Sequence, residues 1–69
     1  MNKINFICGD WHCWNCQKGY LLSDESTKII KQFETIDLAI NFLFLSGNKK
    51  EARELNNEAK ANHEKEAKN

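Results

Sequence analysis

The sequence predicts an α+β domain, a small antiparallel β-meander of three or four strands followed by two antiparallel helices. Three observations predict it. Short apolar runs between residues 3 and 33 are separated by Gly-containing or polar turns, a dense apolar segment follows Thr35, and a charged segment with one narrow apolar stripe follows Gly47. At 69 residues and 8.0 kDa the chain makes a single domain, 1–69, with a Cys-containing meander over 1–34 and a helical hairpin over 35–69. A chain this short buries only about 60% of the surface its unfolded form exposes, so a staple or a partner is expected.

The first strand follows from alternation over residues 3–8, where Ile4, Phe6 and Cys8 fall on one face and Lys3 and Asn5 on the other. Gly9-Asp10 then suits a type II′ hairpin, because Gly accepts the positive φ that the first central position requires. In that register Cys8 opposes Trp11 and Phe6 opposes Cys13. Trp11 and Cys13 join Cys8 on the inner face, and His12 and Trp14 lie on the outer one. The alternative for residues 9–16 is an irregular loop gathered around a metal. From Gly19, Tyr20-Leu21-Leu22 reads as a strand, residues 23–26 as a polar turn and Thr27 to Phe33 as a last, β-branched strand.

Thr35 offers an N-cap hydroxyl and Asp37 a first-turn carboxylate, which start a helix from Ile36 to Leu45. Ile36, Ala39, Ile40 and Leu43 form one apolar stripe, and Leu38, Phe42 and Leu45 a second, so this helix needs cover on two sides. Gly47 is placed as its C′ residue, with Asn48 and Glu51 forming an Asn-x-x-Glu start for the next helix. That helix carries only Ala52, Leu55 and Ala59 as its stripe, and its Ala/Glu/Lys/Asn end is expected to fray. So narrow a stripe hardly covers Leu38, Phe42 and Leu45, and a homo-oligomer, a dimer in the simplest case, or a protein partner is expected there.

Ten basic and ten acidic side chains cancel overall and within each half, and the single Arg, Arg53, sits among mixed charges. Nucleic-acid domains concentrate positive charge, so nucleic acid is the less favoured partner. No segment reaches the roughly 18 apolar residues of a membrane span and none reads as a secretion signal. Three Cys, an odd number, fit a reducing compartment, so the expected location is cytoplasmic.

Residues 8–16 gather all three Cys, one of two His and both Trp. Cys13-x-x-Cys16 is the spacing of a zinc half-site, with Cys8 as third ligand and His12 or His63 as fourth, although the order of spacings departs from the nucleic-acid zinc knuckle. The expected cofactor is therefore none, or zinc. A redox dithiol would want its first Cys at a helix start, which Gly19 and the strand beyond it leave no room for. No phosphate loop, paired helical His or acid pair is present, so no enzyme activity is expected. Trp14, His12, Asn15 and Trp11 are the candidate partner contacts, with Trp14 favoured by register, and Leu38, Phe42 and Leu45 form the second candidate surface. The expectation is a non-enzymatic protein-binding regulator or inhibitor, for example a phage-encoded, anti-defence protein directed at a host defence complex. The alternatives are a zinc-stabilised nucleic-acid-binding module using Trp14, Lys18, Lys28 and Lys31, and a small thiol redox protein.

Overall fold

The computed structural model describes the backbone of residues 4–67 and the side chains of residues 4–61. Four strands, β1 (Asn5–Cys8), β2 (Trp11–Cys16), β3 (Gly19–Asp24) and β4 (Ile29–Phe33), form one antiparallel sheet in chain order, followed by α1 (Ile36–Leu45) and α2 (Lys49–Ala67). This is the predicted α+β meander with two helices, and it has four strands because residues 11–16 are a strand and not a loop.

The β1–β2 register is the predicted one, with Cys8 opposite Trp11 and Phe6 opposite Cys13. Gly9 has φ +59°, and it is the only one of the two turn residues with positive φ, as a type II′ turn requires. The β3–β4 turn falls two residues later than the composition predicts. Ser23 and Asp24 stay in the ladder, opposite Ile30 and Ile29, and the turn occupies residues 25–28. The Asp24 carboxylate causes the shift. It accepts from the Ser26 N–H (3.0 Å), the Ser26 hydroxyl (2.8 Å) and the Thr27 hydroxyl (2.9 Å), while the Lys28 N–H donates to the Asp24 carbonyl (2.8 Å) and Lys28 takes φ +62°. The Glu25 N–H also donates to the Asp10 carbonyl (2.9 Å), tying this turn to the β1–β2 turn.

At α1 the Thr35 hydroxyl accepts from the Leu38 N–H (3.3 Å), as predicted. Its C-terminus closes with the Asn48 N–H on the Leu43 carbonyl (2.9 Å) and the Gly47 N–H on the Phe44 carbonyl (3.2 Å), the paired bonds of a Schellman end. That closure turns the chain sharply and brings Ala52 and Leu55 of α2 against Ala39 and Leu43 of α1.

Both helices cover the same face of the sheet. Ile4, Phe6, Trp11, Cys13 and Leu22 project from it into a core completed by Ala39, Leu43, Ala52 and Leu55, and Ala59 packs at its edge. The predicted stripe of α2 is thus the buried one. The expected fraying of the last turns concerns side chains outside the described residues. No helix among the described residues is long and apolar enough to cross a membrane.

Candidate functional site

Strand alternation divides the residue 8–16 cluster between the two faces of the sheet. On the covered face, Trp11 is 6% exposed and stands edge-on to Phe42, and Cys13 is fully enclosed, which pushes its thiol pKa up to about 11. Cys8 projects on the same side, half-buried, and its thiol donates to the Glu54 carboxylate of α2 at 3.6 Å. Partial burial, and after it the neighbouring Glu54 charge, raise the Cys8 pKa. Asn15 holds the start of β1, its side-chain oxygen accepting from the Ile4 N–H. Of the candidate partner contacts, Trp11, Asn15 and Phe42 each have a partner within the chain. Phe42 packs on Phe33 as well, with centroids 5.6 Å apart, under the Lys31 ammonium.

On the opposite face no element among the described residues lies over the sheet. Two cross-strand rows line it, Ile7–His12–Ser23–Ile30 and Asn5–Trp14–Leu21–Gln32. Ile7 is 65% exposed, Ile30 67% and Trp14 37%, while His12, Leu21 and Ser23 are half-buried between them. Three strand spacings separate Ile7 from Ile30, so the patch is about 14 Å wide. A groove of about 290 Å³, with His12 and Trp14 on one side and Lys28, Ile29 and Ile30 on the other, marks its end at the β3–β4 turn. The rim charges Lys28 and Glu25 pair at 4.0 Å, so the patch presents little net charge.

Of these outer-face residues, Trp14 and His12 stand out in the sequence, whereas Ile7, Leu21 and Ile30 do not. The signal was available, since the alternation that points Phe6 and Cys8 inward points Ile7 outward. Its consequence shows only once the ladder sets Ile7 and Ile30 in one row.

The zinc ligands are not brought together. An odd spacing of three along an extended strand sends Cys13 and Cys16 to opposite faces, whereas a knuckle needs a turn to bring both sulfurs to one side. His12 shares the outer face with Cys16, and Cys8 the inner face with Cys13. The His63 side chain lies outside the described residues. Among the described residues no group of three or more His, Cys, Asp or Glu side chains is placed to hold a metal ion.

The second candidate surface is divided. Phe42 turns to the sheet, but Leu38 and Leu45 remain 49% and 76% exposed on one side of α1. Phe44, absent from the sequence-based candidates, is 54% exposed on the side facing α2. Compared with known protein families, curated proteins and solved structures, the chain matches none of them.

Proposed function

We propose that this protein is a non-catalytic protein-binding module whose contact surface is the uncovered face of its sheet, with Trp14 as anchor, and that it acts as an inhibitor or adaptor does, by occupying a partner's surface. One observation carries the reading. The two helices pack on one face of the sheet, and Trp14, Ile7 and Ile30 stand exposed on the other, on a nearly uncharged patch. Exposed apolar patches of this kind mark interaction sites, and Trp dominates interface energetics because it joins a large apolar area to one hydrogen-bond donor. A nucleic-acid partner would want unpaired cations around the aromatic group, and the nearest rim cation, Lys28, has an acidic neighbour.

The test is site-specific photo-crosslinking in extract of the source cell, with a photoreactive side chain placed at Ile7 or Ile30. Both positions should yield the same protein adduct, and Trp14→Ala should abolish it. Adducts only from a probe on α2, or adducts indifferent to Trp14→Ala, would remove the reading.

A second reading, self-association, rests on Leu38 and Leu45, which lie seven residues apart on one exposed side of α1. Light scattering should then give a dimer mass that Leu45→Lys converts to the monomer mass. A monomer in the parent protein overturns it.

A further inference from the structure

The formal charge of zero conceals a segregation along α2. At about 100° per residue, Lys49, Arg53 and Lys60 fall within about 40° of one another around the helix, and Glu51, Glu54 and Glu58 within about 60° on the far side, with Lys50 about 40° from Glu54 as the one cation beside the acids among the described side chains. The buried stripe of Ala52, Leu55 and Ala59 separates the two flanks. The acidic flank is turned to β1, where Glu54 accepts from Cys8. The cationic flank borders a groove of about 470 Å³ between the helices, with Ile40, Phe44 and Ala52 as its apolar part and Lys49, Arg53 and Asn56 along one wall. The Lys49 ammonium lies 5.8 Å from the centre of the half-exposed Phe44 ring. Among the described residues neither Lys49 nor Arg53 forms an ion pair.

We propose that this groove is a second binding site, distinct from the sheet face, and that it takes an acidic amphipathic helix of a partner protein. Charge complementarity selects the occupant. A helix laid beside α1 and α2 would set apolar side chains at i and i+4 on Ile40 and Phe44, and carboxylates on its flank against Lys49 and Arg53. Among the described residues, α2 of a second copy lacks that combination, because its acids adjoin Leu55, which is fully buried, and one of them already engages Cys8. A phosphate backbone would meet the cations but gain nothing from the apolar side of the groove.

The test uses the full chain, labelled for amide chemical-shift mapping, and two synthetic amphipathic helical peptides with identical leucine anchors, one flanked by glutamates and one by lysines. At low salt the glutamate peptide should bind at least about fivefold more tightly than the lysine peptide and shift the amides of Ile40, Phe44 and Arg53. The double variant Lys49→Glu/Arg53→Glu should reverse the preference. It keeps its fold because both positions are exposed and a carboxylate in the first turn suits the helix dipole. Phe44→Ala should weaken the glutamate peptide at least about threefold with unchanged helicity. Equal affinity for the two peptides, no saturable shift at millimolar peptide, an unreversed preference in the double variant, or tighter binding of a single-stranded oligothymidylate to the same amides would each overturn the proposal.

Discussion

Trp11 and Phe42 meet edge to face between sheet and helix, their ring centroids 6.2 Å apart and their planes at 74°. The contact joins β2 to α1 and turns two aromatic rings that could have served a partner into core. Phe33 also lies against Phe42, so the three rings form one cluster between α1 and the sheet. Truncating either member of the edge-to-face pair should cost about 3–5 kcal/mol, which is the whole stability that a core of this size usually supplies. Trp11→Ala and Phe42→Ala should therefore be largely unfolded at 37 °C by circular dichroism. A loss of under about 1 kcal/mol in either would show that the rings do not pack this way.

Trp14 occupies the opposite environment, and the two indoles should be distinguishable in solution. With Trp11→Phe the remaining emission should be strongly quenched by acrylamide, and with Trp14→Phe it should be protected. Trp14→Ala should change stability by no more than about 1 kcal/mol, because the ring is partly in water on the face of the sheet away from the helices. Equal quenching of the two single-Trp proteins would contradict the division of faces on which the proposed function rests.

The fold was legible where local chemistry and pattern agree. The Gly9-Asp10 turn set the β1–β2 register, Thr35 and Gly47 bracketed α1 to the residue, and the stripe of Ala52, Leu55 and Ala59 named the buried side of α2. The β3–β4 turn was misplaced because Asp24, read as a turn residue from its type, acts from the strand end and caps the turn with its side chain. The site was half legible. Alternation separates Trp11 from Trp14, but whether a face is covered depends on where the helices land, and no single-strand pattern contains that. Phe42 shows the same limit on a helix, since the wheel groups it with Leu38 and Leu45 while packing against Phe33 and Trp11 draws it inward.

Thiol chemistry should follow the faces. Cys13 has no exposure and a pKa raised by burial to about 11, so it should react with a disulfide reagent only on unfolding. Cys16, partly exposed beside the Gln17-Lys18 turn, should react in the native protein, as should Cys8 more slowly because its pKa is raised too. Two labels on the native protein and three in denaturant, counted by mass spectrometry, is the expected result. Because Cys13 and Cys16 point apart, a strong chelator should leave the melting temperature unchanged. A chelator-induced fall, with Cys16 protected in the untreated protein, would mean that a metal rearranges β2.

Gly19 is fixed by close approach as well as by conformation. It has φ +134°, and a Cβ there would sit 2.2 Å from the Phe33 carbonyl oxygen and 2.9 Å from the Glu34 Cα. The nearest atoms are all backbone of residues 33 and 34, so no side-chain rotation relieves the overlap. Gly19→Ala should cost about 3 kcal/mol or more, combining left-handed strain with displacement of the end of β4. A thermal melt within 3 °C of the parent would exclude this packing of β3 on β4.

Asp24 gives the protein a defined acid sensitivity. Hydrogen bonds from Ser26, followed by those from Thr27, hold its carboxyl below the ordinary value of 3.8, against an opposing effect of its burial at 7% exposure. A carboxyl whose pKa is lower folded than unfolded stabilises the fold in its ionised form. Its contribution is complete above the unfolded value and is lost as pH falls from there through the lower folded value. Asp24→Ala should therefore melt below the parent at pH 7, with the gap narrowing as pH falls below about 4. Removing the Ser26 hydroxyl with Ser26→Ala should reproduce part of the deficit with the same pH dependence, because it deletes one of the bonds that favour the carboxylate. A deficit for Asp24→Ala that stays constant from pH 7 to pH 2.5 would mean that the carboxylate's charge plays no part in closing the β3–β4 turn.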